Sequence, residues 1–258
     1  MTAPVQCGRR LAGGTKSGRF EDMPVTGQCG RSDRNTDLRR PQSARHFAVG
    51  LGAAILSLVL FAWLGEEVLR DRTIAFDSAI RADLHWLATP ALTSAMRFFT
   101  ALGSTFWLLA MSAVVVAVLV MAHWRRGAAL FLIGMGGGAI LDGVLKVGFG
   151  RPRPQVSFFG TPIPHSYSFP SGHALLSVCF FGMVAALAAS RVHGRAGRIP
   201  IWLSAAVIAF AIGFSRVYLG VHYASDVIAG YAAAIVWIGA IAYGNRRIRR
   251  PAGGTAQR

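Results

Sequence analysis

The sequence predicts an all-α, polytopic membrane bundle of six transmembrane helices, with an additional amphipathic helix lying at the interface. Three observations lead there. The chain is 53% hydrophobic and only 15% charged, with a mean hydropathy of +0.45, which is too apolar for an ordinary soluble domain. Six apolar stretches approach the ~20 residues needed to cross a hydrocarbon core of about 30 Å. Lys and Arg stand mostly at the ends of those stretches, as topogenic charge does. The net charge of +16 therefore reads as membrane topology, and no nucleic-acid partner is implied.

Residues 1–46 are rich in Gly, Arg, Ser and Thr without a sustained apolar period, and read as a basic, disordered tail. No apolar core follows a short charged start, so a signal peptide is not indicated. The first span covers 47–65. Across 66–97, Phe76, Ile80, Leu84 and Leu87 recur at helical spacing with Asp77, Arg81 and Asp83 between them. This is the expected interfacial helix; a solvated connecting helix fits the pattern as well. The second span covers 102–122 and the third 127–147. Gly134 and Gly138 in the third form a G-x-x-x-G, the spacing of close helix packing within the chain or between copies. A nucleotide-binding loop is excluded because no strand precedes it. Asp142 and Lys146, four apart, can pair on that helix. Residues 148–170, rich in Pro and Gly, form a loop. The fourth span starts at Pro170 or Ser171 and runs to 190, the fifth covers 201–217 and the sixth 224–244. A basic tail, 245–258, closes the chain. The domains are thus a tail, one membrane domain over 47–244, and a second tail.

Six spans put both termini on one side. The two tails, the 123–126 turn and the 191–200 loop on that side carry most of the 27 Lys and Arg residues. The positive-inside rule then places both termini in the cytoplasm of an inner-membrane protein. Cys7, Cys29 and Cys179 have neither even number nor C-x-x-C spacing, so neither a disulfide framework nor a zinc site is supported. Neither a metal nor another cofactor is expected.

Three polar clusters fall on the opposite, outer face: Lys146 with Arg153-Pro154; Pro170-Ser171-Gly172-His173; and Ser215-Arg216 with His222 and Asp226. A charge near lipid costs roughly 2.5–3.5 kcal/mol on insertion scales, which marks such residues as functional candidates. His222 and Asp226 are four apart and meet on one helical face, an arrangement that fixes a histidine tautomer. By itself that pair is compatible with a proton relay or an ion site. Arg supplies a planar fork for phosphate oxygens and Lys a point charge. Ser171 and Gly172 sit at a helix start, where unpaired N–H groups favour an anion. Hydrogen bonds to charged groups contribute about 1.5–3 kcal/mol each, so a few of them suffice for a tetrahedral dianion. Two histidines can then divide attack from protonation of the leaving group.

In these three clusters, in this order, the chain resembles the type 2 phosphatidic acid phosphatases, a superfamily shared with vanadium haloperoxidases and bacterial acid phosphatases. The resemblance covers about 47–244 and matches the six-span membrane branch. It implies His222 as a nucleophile forming a phosphohistidine, Asp226 as the group orienting it, and His173 as general acid. It also implies Lys146, Arg153, Arg216, Ser171 and Gly172 as the phosphate cradle, with no metal. The expected activity is hydrolysis of a terminal phosphate from a lipid phosphate or diphosphate: phosphatidic acid, phosphatidylglycerophosphate or undecaprenyl diphosphate. A phosphotransferase of the same family and a non-catalytic lipid-phosphate transporter or binding protein stand as alternatives. Ser157, Ser166 and Ser168 read as plain loop residues, and His165 as a solvated one.

Overall fold

The structure, a computed structural model, describes residues 39–249, with side chains over 48–248. Chain contacts divide at residue 41, and apart from the first residues of one helix everything described below lies in the second unit, Gln42–Arg258. The basic tail expected over 1–46 lies outside the described residues up to 38. Its last part is already helical, as are 245–249 of the C-terminal tail.

Eight helices and no strand occur among the described residues. They are α1 (Arg39–Leu69), α2 (Ile74–Trp86), α3 (Pro90–Leu102), α4 (Thr105–Met121), α5 (Arg125–Phe149), α6 (Gly172–Ala189), α7 (Arg195–Tyr218) and α8 (Ala224–Arg249). Five segments are long and apolar enough to cross a membrane: Ala48–Leu69 in α1, Arg125–Phe149, Gly172–Ala189, Arg195–Tyr218 and Ala224–Ile248 in α8. α3 and α4, a pair meeting at 53°, are together apolar enough to make a sixth, as a broken span or a re-entrant loop. Gly103 and Ser104 make the bend, and the Ser104 hydroxyl accepts from the Trp107 amide at 3.4 Å to start α4.

The single interfacial helix expected over 66–97 is two helices. Thr89 precedes Pro90, and a residue before proline is pushed out of the helical region. Thr89 is extended and accepts from the Leu92 amide at 3.2 Å, with Pro90 in the first turn of α3. The expected apolar stripe is also only half correct. Ile80 and Leu84 pack against Val217, Ala224 and Val227, but Phe76 and Leu87 are exposed. The fully buried residue of α2 is Asp77. In α7, the helix begins before the expected 201 and contains Pro200. Proline cannot donate to the carbonyl four residues earlier, that of Ala196; Ala196 is exposed at the helix start, where water can take that bond.

α6 is the most buried span and packs on α5, α7 and α8. Close approach to α5 relies on the glycines singled out in the sequence, and the contact is within the chain. A Cβ on Gly134 would meet Met183, and one on Gly138 would meet Cys179. Gly137 faces α8, where a Cβ would lie 2.1 Å from the Trp237 ring. Trp237 Nε1 donates to the Gly134 carbonyl at 3.0 Å, clasping the two helices. A side chain at 137 must displace that indole, an overpacking that costs about 1–3 kcal/mol. Gly137→Ala should lower the thermal unfolding temperature in detergent, whereas Gly136→Ala, with nothing within 4 Å of its Cβ, should leave it unchanged.

Candidate active site

The site grows from three chain breaks at one end of the bundle. α5 ends at Gly150, which adopts φ +60° and donates to the Lys146 carbonyl. Left-handed backbone at a helix C-terminus suits glycine. The prolines after it keep 151–154 out of helix. The next break is the start of α6, where Ser171 holds the capping position without using its hydroxyl as a cap. Its own amide donates to the Asp226 carbonyl at 2.9 Å. The last break is the 219–223 turn between α7 and α8. Gly220 there has φ +73°, and a Cβ would meet Phe158 at 2.9 Å. That close approach lets the Phe158 amide donate to the Leu219 carbonyl at 2.9 Å, docking the 150–171 loop onto the turn. Arg81 of α2 locks the junction, donating to the carbonyls of Gly220 at 3.1 Å and Val156 at 2.7 Å.

These breaks enclose a cavity of about 290 Å³. Lys146, Arg153, Gly172, His173, Arg216 and His222 all line it. Six of the eight residues expected from sequence are therefore brought to one wall. The remaining two are adjacent to it. Asp226 is buried beside His222 on the ring edge away from Arg153, and Ser171 is fully buried with an unpaired hydroxyl.

Each cation is held in place. Lys146 Nζ pairs with Asp142 at 2.5 Å and donates to the Pro170 carbonyl at 2.7 Å. Arg153 donates to the carbonyls of Ser166 at 2.7 Å and Val221 at 2.9 Å. Burial lowers Arg153 below its ordinary value, with Asp226 and Asp142 opposing. Arg216 donates to Thr100 Oγ1 at 2.6 Å. It is 6% exposed, its Nε has no protein partner, and no carboxylate pairs with it among the described residues. A buried guanidinium left in this state favours an anion beside it.

The geometry assigns the tautomer of His222. Arg153 Nη1 lies 2.9 Å from its Nε2. A guanidinium only donates, so Nε2 accepts and presents its lone pair toward the cavity. The proton then sits on Nδ1, 3.3 Å from Asp226 Oδ2. His222 lies in the turn between two spans. Burial pushes it down to about 3, Asp226 opposes, and Arg153 and Arg216 reinforce the depression.

Sequence reasoning did not find everything. Ser168 and Ser166, read as plain loop residues, both serve the site. Ser168 Oγ donates to Asp226 Oδ2 at 2.5 Å, and Ser166 Oγ accepts from Arg153 at 3.0 Å. Arg151 and Asp77 were missed as well. Arg151 Nη1 reaches Asp226 Oδ1 at 2.7 Å, and its Nη2 reaches Asp77 Oδ2 at 2.9 Å. Burial works against the Arg151 charge, but Asp226 and Asp77 outweigh it and hold the guanidinium above its ordinary value. One signal for Asp77 was present: it precedes Ile80 by three and Leu84 by seven, which places the carboxylate on the apolar face. His165 is exposed, as expected. Among the described residues no group of three or more His, Cys, Asp or Glu side chains is placed to hold a metal ion.

The neutral imidazole links the site to stability. In the unfolded chain a histidine takes up a proton below about 6.5, whereas folded His222 resists until about 3. Between these values the unfolded state binds more protons, so stability falls as pH falls. Relative to His222→Gln, which does not titrate, the wild-type protein should lose up to about 1.4 kcal/mol per pH unit across that window. Unfolding in detergent at pH 6.5 and pH 4 measures this, and parallel losses would contradict it.

Comparison with known proteins places this constellation. The family model described as the PAP2 superfamily matches residues 127–250, which contain all three motif clusters. The chain is 29% identical over 185 residues, 70% of its own length and 89% of the relative's, to phosphatidylglycerophosphatase B of Bacillus subtilis (strain 168). It is 34% identical over 96 residues, 36% of its length and 42% of the relative's, to an undecaprenyl-diphosphatase of Sulfolobus acidocaldarius. A solved transmembrane PAP2-type phosphatidylglycerolphosphate phosphatase from Bacillus subtilis superposes with a TM-score of 0.69 at 26% identity, covering 77% of this chain and 98% of that one. With the motif order, the helical bundle and these similarities in agreement, residues 127–250 match the PAP2 superfamily, and the chain is similar to that superfamily's bacterial membrane branch.

Proposed function

We propose that the protein removes the terminal phosphate of a membrane lipid phosphate or diphosphate by transferring it to His222 and then to water. Its class is that of its family and relatives: a multi-pass membrane phosphatase, a phosphoric monoester hydrolase. The observation that carries the finer reading is the His222 tautomer, a neutral ring with Nε2 facing a cationic cavity and Nδ1 facing a carboxylate. That is the state a nucleophilic imidazole needs.

The steps follow from the residues. The phosphoryl oxygens take the donors of Lys146, Arg153 and Arg216, with the start of α6 adding the Ser171 hydroxyl, the Gly172 amide and the positive end of the helix dipole. Arg153 moves its hydrogen bond from Nε2 to a phosphoryl oxygen, freeing the lone pair. Nε2 attacks phosphorus as the bond to the leaving oxygen breaks, and that oxygen takes a proton from His173. The ring becomes a phosphorylated imidazolium, stabilised by Asp226 across Nδ1–H. Water then attacks phosphorus, neutral His173 takes the water proton, and the P–N bond breaks to give inorganic phosphate. Preorganised charges act here on the developing negative charge of the transferred group. No step is routed through a metal.

The relatives' names support both a monoester and a diphosphate as substrate. The charge pattern supports an inner-membrane protein with cytoplasmic termini and a cavity opening on the outer face, so that the lipid tails stay in the bilayer while the head group reaches His222.

Phosphate release from phosphatidic acid, phosphatidylglycerophosphate and undecaprenyl diphosphate, assayed with purified protein in detergent, tests the substrate class. His222→Ala should reduce release by roughly 10⁴-fold or more, as loss of a nucleophile does, and His173→Ala by about 10²–10⁴-fold. Vanadate should inhibit and EDTA should not. Retained turnover in His222→Ala would remove His222 from the nucleophile's role.

A further inference from the structure

Behind the cavity lies an ionic group that reaches the phosphate chemistry only through Asp226. Asp77, Arg151 and Asp226 form a line of alternating charges with no exposure at either carboxylate. Asp77 is fixed from three directions: its Oδ2 accepts from Arg151 and from Ser225 Oγ at 2.7 Å, and its Oδ1 from the Ser225 amide at 2.9 Å. Arg151 is held by Thr73 Oγ1 at 3.0 Å and stacks on the Tyr223 ring at 4.2 Å. Neither Asp77 nor Arg151 lines the cavity.

The two oxygens of Asp226 have separate duties. Oδ1 takes Arg151, while Oδ2 takes Ser168, the Tyr223 amide at 3.0 Å and His222 Nδ1. The charges of the line sum to minus one. Were Asp77 absent, Arg151 and Asp226 would cancel and the ring would face a neutral pair. With Asp77 present, Arg151 is already neutralised from the α2 side, and one full negative charge remains for His222. Phosphorylation at Nε2 turns the ring cationic, and the buried group then becomes neutral. In a low-dielectric site that balance matters far more than in water.

We propose that Asp77 is a positioning residue for His222: through Arg151 it supplies the surplus negative charge that lets Asp226 stabilise the phosphorylated imidazolium. This rests on His222 being the nucleophile. It gives α2, which lies outside the three motifs, a part in catalysis, and it makes the docking of α2 a condition of turnover.

The experiment compares wild type, Asp77→Asn, the double variant Asp77→Asn with Arg151→Gln, and His222→Ala, all as full-length protein in detergent with phosphatidic acid. Asp77→Asn keeps the shape but removes the surplus charge. It should lower kcat by roughly 10- to 100-fold, the range seen when the group behind a functional ligand is removed. KM should stay within about twofold, because uniform binding is untouched. The double variant restores the net charge of minus one and should recover most of the lost kcat. A purely structural role predicts the opposite, a double variant slower than the single one. An unchanged kcat in Asp77→Asn, or no recovery in the double variant, overturns the proposal. If Asp77→Asn does not fold, the double variant is read against wild type directly. A kcat within about tenfold supports the charge balance, and a loss as deep as that of His222→Ala overturns it. An active His222→Ala would instead mark failure of the nucleophile assignment, independently of Asp77.

Discussion

The structure depends on one buried carboxylate. Asp226 has no exposure and accepts from Arg151, Ser168, His222 and the Tyr223 amide. An isolated ionised carboxylate could not persist there, because transfer from water to a low-dielectric interior costs several kcal/mol even after relaxation. Its four donors come from three places: Arg151 just after α5, Ser168 in the segment before α6, and His222 and Tyr223 in the turn before α8. Satisfying the charge therefore draws three chain breaks together. The Asp226 carbonyl adds a fourth tie, accepting from the Ser171 amide at the start of α6. The same constraint that closes the fold at this end sets the tautomer of His222.

A second constraint is the cationic cavity. Lys146, Arg153 and Arg216 would repel one another if left mobile. Their anchors are unequal. Lys146 has a carboxylate partner in Asp142, Arg153 is held by backbone carbonyls, and Arg216 has only a threonine hydroxyl. The cavity is therefore rigid but undercompensated, and its deficit lies at Arg216. Preorganisation of this kind removes the reorganisation that water would need, which is the usual source of electrostatic catalysis. An anion with two negative charges completes the local balance better than any side chain present.

Helices α2 and α3 form the frame that holds the turn. Arg81 ties α2 to the carbonyls of Val156 and Gly220, and Thr93 of α3 meets the Tyr218 hydroxyl at 2.8 Å. Met96 packs against Tyr218 and Leu219. The turn carrying His222 is thus clamped by α2 and α3. These ties explain how a site built on short loops can keep its geometry.

The sequence by itself determined the spans, because apolar length and flanking charge act locally, and it determined the motif residues, because charge is costly where lipid is near. It also placed His222 and Asp226 on one helical face, since four-residue spacing fixes that without tertiary information. Tertiary structure decided what could not be read from spacing. Ser168 and Arg151 reach Asp226 across 58 and 75 residues of chain, and no periodicity encodes such a contact. Spacing puts Asp77 on the face of Ile80 and Leu84, but only the closed bundle supplies Arg151 and Ser225 to receive its carboxylate there. The break at Thr89–Pro90 is local and legible, but the direction of α2 before it is not. That direction is set by where a buried arginine needs a second counter-charge, a demand that exists only once the bundle has closed.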